Sequence, residues 1–224
     1  MKIELFSDMI CPFCYIGKRN LDVALEMFPH RDEVQIVHRS FQLDPSAAPV
    51  AGETLPEREM RFHGLARPAV DARLEMVADM ARKAGLDYRL DLALPVRTFD
   101  AHRLMHFAEG KGKAPELAES LLRAYAVEGR SIADHDTLAE LAADAGLDAE
   151  EARAVLASDA FHREVEADLR RAVDLGVSGV PTGVIDGTWE LAVMGSPASV
   201  LRGLERAWQS THGGAGSARS SADG

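Results

Sequence analysis

KIELFSDMICPFC, residues 2–14, joins a predicted strand to two cysteines three positions apart. Residues 2–7 have the β-branched and aromatic content of a strand, and helical periodicity begins after Cys11-Pro12. Cys11 therefore lies at the N-terminus of the predicted helix, where unpaired N–H groups and the helix dipole favour a thiolate. Cys14 follows one turn later, close enough to form or resolve a disulfide. This spacing predicts a redox pair in which Cys11 is the nucleophile and Cys14 the resolving thiol.

The sequence contains no cysteine besides Cys11 and Cys14. Two cysteines provide no disulfide scaffold, and a chain of 224 residues needs none. Pro12 supports the redox interpretation because it lacks an N–H and its fixed φ suits the first turn of a helix. The alternative is half of a zinc site completed by His102 and His106, but their separation from the cysteines, about ninety residues, fits no zinc-finger spacing. We therefore favour redox chemistry over metal binding.

Composition restricts the partners and the compartment. The chain carries 36 acidic and 25 basic residues, a net charge of 25 − 36 = −11, which argues against a nucleic acid or an anionic membrane as the main partner. A hydrophobic content of 46% suits one globular domain, with or without a large insertion. There is no run of about 20 apolar residues to span a bilayer, and Glu4 and Asp8 interrupt the start, where a signal peptide needs an apolar stretch. We expect a cytoplasmic protein, and abundant Ala with scarce Lys suggests a GC-rich bacterial source.

A strand, a helix and a second strand follow one another within about the first forty residues. The helix has an apolar face from Ile16 to Phe28 and stops at Pro29, and residues 33–41 form the second strand. This order predicts a right-handed βαβ unit with parallel strands. The following block is rich in Ala, Leu, Glu and Arg, and its periodicity predicts helices near 67–84, 100–109, 115–128, 136–145, 149–157 and 160–175, with a connector at 90–95.

Strand signals return near the end of the chain. An Asp-Gly pair between two apolar runs predicts a hairpin, and a Ser-Pro pair predicts the start of a helix. The predicted elements are a strand at 182–185, a turn at Asp186-Gly187, a strand at 188–194 and a helix from Ser196 to Trp208.

A Val180-Pro181 bond precedes this hairpin and follows a segment rich in glycine. In a redox fold with the order βαβ–ββα we expect this peptide bond to be cis and to lie beside the cysteines. The Val180 backbone is then free to pair with an extended substrate. Pro181 thereby joins Cys11 and Cys14 as a predicted site residue.

These segments together resemble the thioredoxin-like superfamily, in its DsbA branch and its FrnE-like group. The matching residues are 6–19 (FSDMICPFCYIGKR), 101–104 (AHRL) and 176–181 (GVSGVP). The resemblance covers nearly the whole chain and implies a thioredoxin fold, of class α/β, interrupted by a large all-helical insertion. It implies a thioredoxin-like domain of residues 1–48 and 177–210, a helical cap of residues 49–176 and a disordered tail of residues 211–224.

The resemblance also implies thiol–disulfide oxidoreductase or isomerase activity, with Cys11, Cys14 and Pro181 as the core of the site. The partner is expected to be a protein or small molecule that carries a disulfide or a dithiol. No metal or organic cofactor is required, and glutathione is a possible redox partner. Phe13 replaces the histidine of the strongest oxidants in this branch, so we expect a higher Cys11 pKa and a weaker oxidant. Thr182 follows Pro181 where an aromatic residue is common, so we expect a more open substrate groove.

Several other side chains are candidates with two interpretations each. Glu4 has the spacing of the buried acid that DsbA-branch proteins keep behind the resolving cysteine, where it would relay the Cys14 proton, but it suits a solvent-facing strand position equally well. Asp8 is expected to cap its loop. His102 either faces the substrate groove with Val180 and Thr182 or is an ordinary packed histidine. Methionines either line a pliable binding surface or fill the core, and the spacing of Met76 and Met80 favours the core.

Two other functions remain open. One is a glutathione-dependent enzyme of the same architecture, such as a kappa glutathione transferase or a hydroxychromene-carboxylate isomerase. Those enzymes use a serine or a lone thiol, so the intact cysteine pair argues against them. The other is a chaperone-like binding module in which the helical cap grips its clients and the cysteines are idle.

Overall fold

Four strands form one sheet in the order β2-β1-β3-β4 in the computed structural model, which describes residues 1–212. β1 pairs in parallel with β2 and antiparallel with β3, and β3 pairs antiparallel with β4. The strands are β1 (Lys2–Ser7), β2 (Gln35–Ser40), β3 (Thr182–Ile185) and β4 (Trp189–Leu191). β1 is thus one of the two interior strands, and from it the chain enters the segment with the two cysteines.

Nine helices lie within the described residues, and most follow the predicted bounds closely. They are α1 (Pro12–Met27), α2 (Leu55–His63), α3 (Arg67–Lys83), α4 (Phe99–Gly110), α5 (Ala114–Arg123), α6 (His135–Asp144), α7 (Ala149–Leu156), α8 (His162–Asp174) and α9 (Pro197–His212). A 3₁₀ turn (Arg31–Glu33) precedes β2, and a π turn (Ala124–Glu128) extends α5. No helix of residues 1–212 has the combined length and apolarity that crossing a bilayer requires.

The two faces of the sheet are covered by different helices. On one face, alternate β1 residues such as Ile3 and Leu5 pack against α1 and α9. On the other face, Phe6 packs against Ala172 of α8. α8, which belongs to the segment assigned to the cap, thus also packs against the sheet.

The helical insertion shares one continuous apolar core with the start of α1. This core contains both cysteines, Tyr15 and Ile16 together with buried residues of α3 to α7. Leu104, Leu117 and Leu121 are among its members without solvent exposure. The two thiols are therefore packed at the junction of the sheet domain and the insertion.

The differences from the predicted elements are local. α2 was not expected, although Thr54 and Glu57 form a capping box at its start. Asp186 and Gly187 have positive φ values, as the predicted turn requires. The loop between the paired strands has three residues, 186–188, because Ile185 pairs with Trp189. The last helix continues past Trp208 to His212, so the predicted tail begins too early; residues 213–224 lie outside the described residues.

Candidate active site

Cys11 is the N-cap of α1, and Pro12 occupies the first position of the helix. The backbone closes the turn from both sides, because the Cys11 N–H donates to the Asp8 carbonyl at 3.1 Å and the Cys14 N–H donates to the Cys11 carbonyl at 3.0 Å. The Tyr88 hydroxyl, from the insertion, donates to the Pro12 carbonyl at 2.5 Å. The segment after β1, the start of α1 and the insertion together hold the backbone of the cysteine turn.

The surroundings change the pKa values of the two thiols in opposite directions. A hydrogen bond from the Cys14 thiol is the main cause that lowers the pKa of Cys11, and the N–H groups of Cys14 and Phe13 add to it against the effect of burial. Burial raises the pKa of Cys14 far above its ordinary value. Cys11 is thus the more readily ionised thiol and Cys14 the protected one.

The loop before β3 lies directly against the thiols. The Cys11 Sγ is 3.6 Å from the Val180 carbonyl oxygen, and the Val180–Pro181 peptide bond is cis. The Thr182 hydroxyl donates to the Gly179 carbonyl at 2.8 Å and holds the far side of the loop. Gly17 of α1 leaves room for the loop, because a Cβ there would lie 2.8 Å from the Pro181 Cγ.

An open groove of about 620 Å³ runs from Cys11 along the insertion. Its wall includes apolar side chains that are well exposed to solvent, with Phe62 at 63% and Met76 at 67%. Leu43 and Met80 continue the same surface. The expectation that Met76 and Met80 fill the core is wrong, since these side chains face the groove beside the reactive thiol.

A second cleft, of about 630 Å³, lies on the other side of the Val180–Pro181 loop. Phe13 and Val180 border both clefts, whereas Cys11 lines only the groove. Thr182 lines only this second cleft. Phe13, Val180 and Thr182 therefore lie together at the edge between the groove and the second cleft.

Glu4 does not lie behind Cys14. It is buried on the opposite face of the sheet, where Arg39 and Arg171 each donate to its carboxylate at 2.8 Å. Hydrogen bonding from Arg171, supported by Arg39, lowers the Glu4 pKa. Successive residues of a strand face opposite sides of the sheet, and Leu5 and Ser7 are the β1 residues that line a cavity with Cys14. Glu4 therefore faces away from Cys14 and cannot take the predicted place behind it.

Asp8 and His102 form a buried pair under the cysteine turn. The Asp8 Oδ1 and the His102 Nε2 are 3.4 Å apart, and His102 is only 1% exposed. Of its two interpretations, the place in the substrate groove is wrong, and the structure shows a packed histidine. The Asp8 Oδ2 accepts a hydrogen bond from the Leu43 N–H at 2.7 Å instead of capping its own loop, and the Asp8 N–H donates to the Cys14 Sγ at 3.5 Å.

The structure does not bring the two histidines and the two cysteines together as zinc ligands. His106 lies 3.0 Å from an Asp168 oxygen, whereas His102 faces Asp8. Across residues 1–212, no group of three or more His, Cys, Asp or Glu side chains has an arrangement that would hold a metal ion.

One residue near the thiols was missed by sequence reasoning. His38 of β2 is paired in register with Leu5, and it lines the same small cavity as Cys14. Burial, with a smaller effect of the Lys18 ammonium, lowers the pKa of His38 to about 4. The only available signal was its alternate position on a predicted strand, which gives a face but no neighbour.

Comparisons with known proteins agree with this geometry. A family model for the DSBA-like thioredoxin domain matches residues 2–207. The crystal structure of a probable DsbA oxidoreductase from Streptomyces coelicolor, SCO1869, superposes with a TM-score of 0.88 at 38% identity, covering 93% of this chain and 90% of that one. The uncharacterized protein YwbO of Bacillus subtilis is 26% identical over 83% of this chain and 87% of its own length.

More distant structures share the fold. The cytosolic disulfide reductase DsbM of Pseudomonas aeruginosa has a TM-score of 0.67 at 19% identity, with 93% of this chain and 99% of that chain covered. A 2-hydroxychromene-2-carboxylate isomerase has a TM-score of 0.65 at 14% identity, with 94% and 96% covered. The predicted thioredoxin-like fold with a helical insertion and the predicted enzyme class are confirmed. With its helical insertion, its cysteine turn and these relatives, the chain belongs to the DSBA-like thioredoxin domain family of thiol–disulfide oxidoreductases.

Proposed function

We propose that this protein exchanges disulfides with apolar, disulfide-bearing substrates through a mixed disulfide at Cys11. In the reducing direction, the Cys11 thiolate attacks a substrate disulfide and releases one substrate thiol. Cys14 then attacks the Cys11 sulfur, releases the second substrate thiol and leaves a Cys11–Cys14 disulfide. The substrate gains two electrons and two protons, which a cellular thiol such as glutathione would restore to the protein.

The observation that carries this proposal is the contrast between the two thiols beside an open groove. The pKa of Cys11 is lowered and that of Cys14 is raised, so one sulfur is ready to attack and the other is held in reserve. The apolar groove begins at Cys11, which suits a substrate that presents its disulfide among hydrophobic residues. Val180, Pro181 and Thr182 are the proposed contacts for the substrate backbone.

The surroundings of Cys11 favour reduction over oxidation. Phe13 supplies no charge, and the buried Asp8 carboxylate raises the pKa of Cys11, opposing the causes that lower it. A thiolate that is less stabilised gives a weaker oxidant. The distant neighbour DsbM is described as a cytosolic disulfide reductase, and a cytoplasmic reductase is the role we propose here.

A redox titration tests the proposal. The purified protein is equilibrated across glutathione buffers, quenched with acid, alkylated and read by mass. We expect one two-electron transition between the dithiol and the Cys11–Cys14 disulfide, nearer to the thioredoxin potential of about −270 mV than to the DsbA value of about −120 mV. A Cys14→Ser variant is expected to stop at a mixed disulfide on Cys11.

Other outcomes favour the two alternatives. A wild-type protein that stays glutathione-bound at Cys11, without bridging, would indicate a glutathione-dependent enzyme. A Cys11→Ser, Cys14→Ser double variant that keeps full function would indicate a binding module with idle cysteines. Either result refutes disulfide exchange as the function.

A further inference from the structure

The resolving thiol lines a small cavity that shares no residue with the groove lining. The cavity has a volume of about 10 Å³, near the lower limit for one water molecule. Cys14 is only 2% exposed, so its proton has no direct route to solvent. The lining residues are Leu5 and Ser7 of β1, Cys14 and Lys18 of α1, His38 of β2, Ala118 and Leu122 of α5, and Pro181.

The carboxylates nearest to Cys14 lie outside this cavity. Glu4 lies on the opposite face of the sheet in ion pairs with two arginines. Asp8 presents its backbone N–H, a donor, to the Cys14 sulfur, and its Oδ2 accepts from Leu43. Its Oδ1 has no hydrogen-bond partner within residues 1–212, but it faces His102 at 3.4 Å, and Asp8 is not among the residues that line the cavity. The Lys18 ammonium is a donor and binds Asp22 and Glu119.

His38 is the group in this cavity that can accept a proton. Burial keeps its imidazole neutral at pH 7, so one ring nitrogen carries a free lone pair. His38 shares the lining of this first cavity with Cys14 and Lys18 of α1 and with Ser7 of β1. A second cavity of about 10 Å³ shares His38 and Ser7 with the first, and its other lining residues are Met9, Arg39, Ser40, His102, Met105 and His106.

We propose that His38 accepts the Cys14 proton across this cavity when Cys14 attacks the mixed disulfide. The bond between the Cys11 sulfur and the substrate sulfur breaks, the Cys11–Cys14 bond forms, and the substrate thiolate leaves. The imidazolium then returns its proton to solvent. In the opposite direction, the imidazolium protonates the Cys14 thiolate when a substrate dithiol opens the disulfide. This role rests on the proposed disulfide exchange.

The reaction with 5,5′-dithiobis(2-nitrobenzoate) separates the two steps. In stopped flow, the first thionitrobenzoate released reports attack by Cys11, and the second reports attack by Cys14. The second leaving group needs no proton at neutral pH, so removal of the Cys14 proton is the proton transfer that limits the second phase. A Cys14→Ser variant that loses only the second phase confirms this assignment.

We expect His38→Gln to slow the second phase by about 100-fold, the lower end of what general-base catalysis supplies, and to leave the first phase within about twofold. The wild-type second phase is expected to be nearly independent of pH between about 5.5 and 8, since the neutral ring takes the proton. In His38→Gln it should rise about tenfold per pH unit, because the thiolate must then form unaided. His106→Gln, which removes a ring outside the Cys14 cavity, is the matched control and should keep both phases.

The outcomes distinguish this role from the proposed function. A His38→Gln protein with a wild-type second phase, or one that loses both phases equally, overturns the role of His38. A wild-type second phase that itself rises about tenfold per pH unit also overturns it, and that measurement does not depend on a variant that folds. A first phase no faster than that of a free cysteine would instead defeat the proposed function.

Discussion

Gly17→Ala tests how closely α1 and the Pro181 loop are matched. The added Cβ would lie 2.8 Å from the Pro181 Cγ and 3.3 Å from both the Pro181 Cβ and the Val193 Cγ2. Overpacking of this kind costs about 1–3 kcal/mol. Alanine in a helix interior recovers about 1 kcal/mol relative to glycine, so the net loss of unfolding free energy should be about 0–2 kcal/mol.

The functional effect is expected to exceed the stability effect. Pro181 is joined to Val180, whose carbonyl lies 3.6 Å from the Cys11 sulfur, so a displaced loop moves away from the reacting thiol. We expect Gly17→Ala to reduce the rate of substrate disulfide reduction by about tenfold, less than the roughly 100-fold that a misplacement of 1 Å can cost. Urea unfolding of the reduced protein and steady-state kinetics with a peptide disulfide measure the two effects.

Gly203→Ala is the matched control for this substitution. Gly203 also lies within a helix, but its Cβ would meet only the Leu191 Cδ1, the end of a flexible side chain, at 2.7 Å. This variant should be close to neutral in stability and unchanged in rate. A Gly17→Ala protein that is stabilised by about 1 kcal/mol and keeps its full rate would refute the close packing of the loop against α1.

Three further predictions concern charge, thiol ionisation and the groove. Glu4→Gln should lower the unfolding free energy by about 2–3 kcal/mol, less than for a fully buried pair because Arg171 is partly exposed. Because the pKa of Glu4 is lowered in the folded protein, its contribution to stability is complete above the unfolded pKa of about 4.3 and is lost as pH falls through the folded pKa. In urea unfolding from pH 5 downward, the unfolding free energy of Glu4→Gln should therefore fall less steeply than that of the wild type. The rate at which iodoacetamide modifies Cys11 should rise with pH with a midpoint below pH 9.0, and Cys14 should stay unmodified in that range. Peptide mass mapping measures both rates, and equal rates would contradict the opposite pKa shifts of the two thiols. Phe62→Ser should lower kcat/KM for an apolar peptide disulfide by about tenfold and leave kcat/KM for a small aromatic disulfide unchanged. Val173 is an exposed residue of α8 outside the groove lining, so Val173→Ser should change kcat/KM for neither substrate. Equal losses in both variants would count against the groove as the substrate site.

Local signals were sufficient for the parts of the site that adjoin one another in sequence. The strand before Cys11, the proline after it and the glycine-rich segment before Pro181 each specify a turn or an element without reference to the rest of the chain. The order of these segments then predicted the sheet and placed the proline loop beside the thiols. The structure has the same arrangement.

Side chains whose role depends on a distant neighbour could not be assigned in this way. Both faces of β1 are buried, so alternation alone does not show that Leu5 faces α1 while Glu4 faces α8. Helical spacing correctly places Met76 and Met80 together, but it does not show that the facing surface is an open groove. His38 carries no motif, and its relevance appears only when β2 and α1 are packed together.

The shared core of the insertion and the thiols links electron transfer to protein stability. Any substitution that stabilises the dithiol and disulfide forms unequally must shift the reduction potential by the same free energy, about 30 mV for each 1.4 kcal/mol. Leu117 and Leu121 of α5 belong to this core and lie outside the groove lining, yet repacking them is a route to a different potential. Relatives with identical cysteine segments can therefore diverge in redox poise through helices that never meet a substrate.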